Sequence, residues 1–207
     1  MYQKLFKRVI DVVLALLGII ILLPVFLIVI IAIKVNSKGP IFFKQKRVGK
    51  DKVLFNIYKF RTMKIDTPKN APTHLLKNPD SYITKVGKVL RKTSLDELPQ
   101  LFNILKGQMS VIGPRPALWN QYDLVIERDK YKANDIYPGL TGWAQINGRD
   151  ELSVQRKAAL DGVYMKKIGF LFDAKCFIGT IISVVKNEGI VEGETSSLKK
   201  REAMENE

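Results

Sequence analysis

Apolar positions along the chain form one long uninterrupted run, two short β-branched runs and several stretches at helical spacing. Val12 to Ile33 carries no charged residue. As a straight helix it would measure roughly 33 Å, against a bilayer hydrocarbon core of about 30 Å. The run is too long for a cleaved leader and no small-x-small site follows it, so it predicts a helix that enters a bilayer. Pro24 lies near its middle, where proline removes a helical hydrogen bond and bends the axis. Basic residues flank the run on both sides: Lys4, Lys7 and Arg8 before it, Lys34, Lys38, Lys44, Lys46 and Arg47 after it. Both flanks favour the cytoplasmic side, which a helix that dips in, bends at Pro24 and returns would satisfy. Arg8 and Asp11, three apart, are placed to pair where the chain meets the membrane. A single span with a tolerated proline is the competing reading.

Gly39-Pro40 ends this segment. Ile41 to Phe43 and Val53 to Phe60 predict the strands of a hairpin, with Val48-Gly49-Lys50-Asp51 as its turn. Thr67 to Asp80, with three prolines, reads as a mobile loop or lid. Thr84 to Arg91 leads into the stretch TSLDELPQLFNILKGQMSVIGPRP, Thr93 to Pro116. Here Ser94 and Glu97 have capping-box spacing, which predicts a helix start with Asp96 and Glu97 in its first turn. Neighbouring side chains on a helix diverge by about 100°, so the two carboxylates are expected to take different roles. Ala117 to Tyr131, Leu152 to Tyr164 and Phe170 to Val185 also have helical spacing. The last suits either a core helix or one lying in a membrane interface. The fold class is α+β, predominantly helical: an N-terminal re-entrant membrane helix, a small β-hairpin, and amphipathic interfacial helices around a membrane-proximal site. The boundaries are 1–38 for the membrane-embedded part with its basic flanks, 39–186 for a cytoplasmic catalytic domain, and 187–207 for a polar, flexible tail.

Composition narrows the chemistry. Lys and Arg number 34 against 20 acidic residues, a formal charge of +14, which favours anionic partners. Cys176 is the one cysteine, so no internal disulfide exists, and its apolar setting predicts an inert core thiol. His74 is the one histidine, which argues against zinc. No Walker loop, GxGxxG or GxSxG motif appears, and no nucleic-acid module is present, so nucleic acid is not expected as a partner. What remains is the carboxylate pair, with basic groups at Lys59 and Arg61 on a strand end, Arg91 before the pair, and Arg115 between two prolines. Such a set suits a Mg²⁺-assisted reaction at phosphate. Pro138 to Arg149, PGLTGWAQINGR, adds glycines that permit close backbone approach to a ligand. Its Gln145, Asn147 and Arg149 are able to read a nucleotide or sugar. A decorated structural loop is the alternative for that stretch.

These motifs together resemble a known family. Lys7-Arg8-x-x-Asp11, GPIFFKQKRVG, YKFRTM, LRKTSLDELPQLFNILKGQMSVIGPRP and PGLTGWAQINGR occur in the order seen in the bacterial sugar transferases, the monotopic phosphoglycosyl transferases. The likeness runs from about Tyr2 to about Val185. Where family members commonly carry Ser-Pro at the membrane break, this chain has Leu23-Pro24. The resemblance implies transfer of a sugar-1-phosphate from a UDP-sugar to undecaprenyl phosphate with release of UMP, at the cytoplasmic face of the bacterial inner membrane. It implies Asp96 as nucleophile in a covalent phosphosugar intermediate and as the residue that meets Mg²⁺, with Glu97 as its partner. It also implies that Lys59 and Arg115 bind phosphate and that Arg91 braces the site. The other partners expected are membrane lipid and, compatibly with the sequence, a second copy of the chain. A membrane-anchored basic adaptor without catalysis would explain the charge and the apolar run, but not an Asp-Glu pair beside Gly-Pro-Arg-Pro.

Overall fold

In the computed structural model the described residues are 2–67, 81–148 and 151–186. The expected lid beyond Thr67, Arg149, His74 and the polar tail lie outside them. A π-helical turn at Tyr2–Phe6 leads into α1 (Lys7–Ile21), and α2 (Leu23–Asn36) follows after a break at Leu22. The two helices meet at a bend of 62°. Pro24 sits in the first turn of α2, where no helical partner for its missing N–H is required, so it starts a helix rather than kinking one. Among the described residues no single helix is long and apolar enough to cross a membrane, although the bent pair together is.

One face of this pair packs on the rest of the chain. Gly18 of α1 leaves room for Leu101, and Phe26 of α2 meets Phe60 and Phe102 edge-on, with ring centroids 5.4 and 6.0 Å away. Val29 and Ile33 are buried beside them. The other face leaves Ile20, Ile21, Leu23, Leu27, Ile28 and Ile31 exposed, an apolar surface of the kind that soluble monomers seldom carry.

The expected pairing of Arg8 with Asp11 does not form. Arg8 instead donates to the carbonyls of Ile104 (2.7 Å) and Leu105 (3.2 Å), while Asp11 accepts from the Val111 N–H at 2.9 Å. The reason is that α1 lies across α4 (Gln100–Leu105), whose C-terminal carbonyls carry the partial negative charge of a helix end and attract a cation. Asp173, far along the chain, accepts from Lys7 Nζ, Tyr2 Oη and Tyr164 Oη, each at 2.7 Å. These long-range bonds tie the N-terminal segment to the C-terminal helix.

The hairpin pairs β1 (Phe42–Val48) antiparallel with β2 (Leu54–Phe60). β1 runs well past the Phe43 expected as its end, because Lys44 and Lys46 face solvent while Gln45 and Arg47 are half-buried. The turn carries Asp51 and Lys52 in left-handed conformation, at φ 53° and 62°. Arg61, just beyond β2, donates to the carbonyls of Lys38 and Ser37, at 2.6 and 2.9 Å, and to the Ser37 hydroxyl. Its buried guanidinium thus closes the end of α2.

After α3 (Lys85–Lys92) come α4, β3 (Ser110–Ile112), α5 (Tyr122–Asp129), β4 (Gly139–Thr141), α6 (Trp143–Ile146), α7 (Val154–Lys167) and α8 (Phe170–Lys186). β3 and β4 form a small parallel pair. α5 is shorter than the helix expected from Ala117, since the Ala117 carbonyl accepts from Val48 N and Leu118 bridges to Arg47, holding that segment extended beside β1. The core gathers Ala15, Ile57, Ile104, Met109, Ile112, Tyr164 and Cys176. Between α5 and α7 a fully buried ion pair, Arg128 with Asp161 at 2.6 Å, crosses the interior.

Candidate active site

α3 begins at Thr84, whose hydroxyl accepts from Gly87 N at 2.9 Å. Gly87 packs on the Thr62 carbonyl so closely that a Cβ would collide with backbone. This contact holds α3 against the end of the hairpin and brings Arg91 to Thr62, Nε to Oγ1 3.0 Å. The expected capping box at Ser94 and Glu97 is not formed. Ser94 is left-handed at φ 57° and its side chain caps nothing. The residue before it, Thr93, donates its hydroxyl back to the Val89 carbonyl at 2.8 Å. The chain therefore ends one helix at this point, and the carboxylates occupy a separate 3-10 turn, Leu95–Glu97, before Pro99 opens α4.

Asp96 and Glu97 are only 8% and 7% exposed. Lys59, at the end of β2, lies 2.7 Å from Glu97 Oε1 and 3.5 Å from Asp96 Oδ2. Arg115 reaches both oxygens of Glu97, at 2.5 and 3.2 Å. Such a fork matches carboxylate geometry and also phosphate geometry. The two acids therefore differ in kind. Glu97 is held by two cations, whereas Asp96 meets one, at ion-pair distance, and accepts no hydrogen bond among the described residues. Burial pushes the Asp96 carboxyl above the usual carboxylate range, and the Glu97 charge adds to this, while Lys59, Arg91 and Arg115 pull the other way.

Arg115 is aimed by a backbone clamp. Gly113 donates to the Thr141 carbonyl, and Gly139 donates to the Pro114 carbonyl, both at 2.8 Å. Gly139 and Gly142 lie so close to Gly113 that neither has room for a Cβ. Gly139 and Gly142 of the PGLTGWAQINGR stretch thus approach the Gly-Pro-Arg-Pro backbone, whereas Gly148 packs on Leu152. Among the described residues Gln145, on α6, keeps both amide atoms buried without a hydrogen-bond partner, and Asn147 donates to the Trp143 carbonyl at 2.7 Å.

Of the residues expected at a site, the fold brings together Lys59, Asp96, Glu97 and Arg115, with Arg91 contributing charge nearby. It removes Arg61, whose two terminal nitrogens are engaged with backbone, so that residue acts as a brace and not as a phosphate contact. Sequence reasoning missed Thr62, which receives both α3 and Arg91. It also missed Asn103, whose side chain accepts from Tyr58 N at 2.9 Å and donates to the Asn56 carbonyl at 2.8 Å, fixing β2 against α4. The available signal was a buried amide in the apolar face of a helix, at Asn103.

Among the described residues no cluster of three or more acidic, histidine or cysteine side chains exists to cage a metal. Mg²⁺ commonly binds by one or two carboxylates, with water and substrate phosphates completing its octahedron. The oxygens of Asp96, free of hydrogen bonds and beside a second carboxylate, fit that mode.

Two adjacent buried carboxylates clamped by a lysine and a forked arginine form a mixed-charge cluster whose cations match the geometry of an anionic, phosphate-like group. The sequence profile of the Bacterial sugar transferase family matches residues 2–187, and the chain belongs to that family. It is 42% identical to the uncharacterized sugar transferase EpsL of Bacillus subtilis strain 168, over 80% of this chain and 79% of that protein. It is 39% identical to the UDP-glucose:undecaprenyl-phosphate glucose-1-phosphate transferase of Escherichia coli K12, over 90% of this chain and 41% of that one. It is 36% identical to the UDP-N-acetylgalactosamine-undecaprenyl-phosphate N-acetylgalactosaminephosphotransferase of Aeromonas hydrophila, over 88% of this chain and 44% of that one. The chain thus spans less than half the length of the latter two relatives.

Proposed function

We propose that this sugar transferase moves a sugar-1-phosphate from a UDP-sugar to undecaprenyl phosphate, releasing UMP, in two displacements through Asp96. The observation that carries the reading is the unequal engagement of two neighbouring acids. Glu97 is held by Lys59 and Arg115, so its oxygens are poorly disposed to attack. Asp96 has lone pairs clear of hydrogen bonds and a charge that burial makes unfavourable, both of which favour bond formation to an electrophile.

In the first displacement an Asp96 oxygen bonds to the sugar-bearing phosphorus and the bond from that phosphorus to the UMP oxygen breaks, so UMP leaves with the electron pair. In the second, an undecaprenyl phosphate oxygen attacks the same phosphorus. The aspartyl bond breaks and the carboxylate is restored, leaving the sugar on a lipid diphosphate. Lys59 and Arg115 supply positive charge where the pyrophosphate and the migrating phosphoryl group would otherwise be repelled. Asp96 would hold Mg²⁺, which when bound neutralises pyrophosphate charge. The bent pair α1–α2 sits in the cytoplasmic leaflet as a re-entrant hairpin, with both termini and the site on the cytoplasmic side of the bacterial inner membrane. The product starts a glycan on its lipid carrier. Relatives named for glucose and for N-acetylgalactosamine leave the sugar to be found by assay.

The test is UMP release from a panel of UDP-sugars, with undecaprenyl phosphate and Mg²⁺ supplied or withheld, followed by mass analysis of acid-quenched enzyme. A sugar-phosphate adduct on the peptide containing Asp96 is expected, absent in Asp96→Asn. Turnover by Asp96→Asn near the parent rate would overturn the covalent route. The hairpin is tested separately with single cysteines at each terminus in a Cys176→Ser background. An impermeant reagent is expected to reach neither end in intact cells, and labelling of one end alone would show a span.

A further inference from the structure

At the elbow between α7 and α8 an open cavity of about 470 Å³ is lined by Lys167, Gly169, Phe170, Leu171, Phe172 and Lys175, none of which belongs to the carboxylate site. The ammonium of Lys167 lies 5.8 Å from the centre of the Phe172 ring, and that of Lys175 lies 5.2 Å from the Trp143 ring. Both cations, though exposed, thus lie over aromatic faces. The cavity also faces the first turn of α8, a 17-residue helix whose initial N–H groups have no partner within it. The carboxylate of that turn, Asp173, points inward and is engaged by Tyr2, Lys7 and Tyr164, so it does not cancel the positive charge at the mouth. Of the lining residues, Phe170 and Leu171 are 61% and 82% exposed. The same helix continues with exposed Phe177, Ile178, Ile181 and Ile182. Cationic groups over a pocket, rimmed by apolar side chains that water does not favour, are complementary to a phosphate whose ester carries acyl chains.

We infer that this elbow is a headgroup site for an anionic bilayer phospholipid of the phosphatidylglycerol class. Its phosphate sits between Lys167 and Lys175, and Phe170 and Leu171 enter the acyl region. A free phosphate would satisfy the lysines but gives no reason for the apolar rim. The bonds of Tyr2 and Lys7 to Asp173 join this corner to the N-terminal segment, so a lipid held here sets how α8 and α1 meet the same surface. The inference uses the membrane placement proposed above but not the transfer chemistry, and its readout is lipid contact, not turnover.

Trp143 is a built-in probe, with its ring 4.9 Å from that of Phe172. The full chain carrying Trp119→Phe, in zwitterionic nanodiscs, is titrated with brominated phosphatidylglycerol and, separately, brominated phosphatidylcholine. Each lysine near a surface of anionic lipid contributes about 1 kcal/mol. With two lysines, phosphatidylglycerol should therefore quench Trp143 at roughly thirtyfold lower mole fraction than phosphatidylcholine, since about 1.4 kcal/mol is a factor of ten. Lys167→Gln with Lys175→Gln should merge the two curves, each normalised to its own unquenched signal. The charge-matched pair Lys130→Gln with Lys132→Gln should leave them apart. Equal quenching by both lipids, quenching by neither, or equal loss in the two double variants would overturn the site. Relief of the quench by excess inorganic phosphate would assign the pocket to free phosphate and overturn the lipid.

Discussion

Two buried carboxylate–cation sets use nearly the same side chains toward opposite ends. In the Arg128–Asp161 pair both partners are sealed, with side chains 4% and 1% exposed, and both ends come from helices packed on each other. Asp161 meets one arginine through a single oxygen, Nε at 2.8 Å and Nη2 at 2.6 Å, in a region no ligand can reach. In the Asp96–Glu97 set the cations come from a strand end and from a turn between prolines, and Arg115 keeps 29% of its side chain exposed. Burial raises both Asp96 and Asp161 above the usual carboxylate range, so burial alone does not separate the acid proposed to react from a structural one. What separates them is whether the far side of the countercharge faces open space, as it does at Arg115 and not at Arg128.

The largest effect should come from Asp96→Asn. Loss of a nucleophile of this kind typically lowers turnover by about 10⁴-fold or more. The comparison adds that the variant should be at least as stable as the parent. With its folded pKa raised, Asp96 favours the folded state only in its protonated form, as pH falls through that value. Above it the charge opposes folding, and an amide removes that opposition. Thermal melts at neutral pH check this, and a large drop would mean the carboxylate is a structural brace like Asp161. The converse variant is Asp161→Ala, which leaves Arg128 buried and uncompensated. It should cost about 3–5 kcal/mol in denaturant unfolding while folded protein keeps its kinetic constants.

Much of the site, and less of its scaffold, was legible in the chain. Asp96 and Glu97 stand side by side in sequence, and a Pro-flanked arginine is conspicuous, so the chemical components announce themselves locally. Their supports do not. Arg8 and Asp11 satisfy a local pairing rule, yet their true partners lie 96 to 100 residues away, on carbonyls and an N–H that have no side-chain signature. Arg61 reads as one more strand-end cation because its partners are the carbonyls of Ser37 and Lys38, which every residue type possesses. Ser94 shows the limit of a motif: spacing alone does not reveal that its backbone is left-handed. β1 escaped notice beyond Phe43 because its outward face is lysine, a residue that hydrophobic alternation passes over.

A middle-sized effect sharpens the contrast at the cation side. Arg115→Lys keeps the charge and loses the fork, and should cost about tenfold in kcat/KM. Removing the charge at Lys59, the largest favourable influence on Asp96, should act on the pH profile as well as the rate. Lys59→Met lifts the Asp96 pKa further, so the acid limb of the rate profile should move to higher pH. An acid limb that stays in place would show that Asp96 is not the group whose ionisation the reaction follows.

The smallest effect belongs to Cys176, a buried ionisable group with no cation in hydrogen-bond contact among the described residues. The thiol is fully buried and is pushed up to about 12, first by burial and then by the neighbouring Asp173 charge. A thiolate is the form that reacts, so at about pH 8 almost none is present and the sulfur is also out of reach. Native protein should resist alkylation for as long as it stays folded, and denaturant should make the thiol reactive at an ordinary rate. Cys176→Ala removes little volume and should cost about 1 kcal/mol, with turnover unchanged. Fast labelling of native protein would mean that α8 separates readily from α7 and the core. The Tyr164–Asp173 bond at 2.7 Å would then not hold the elbow closed.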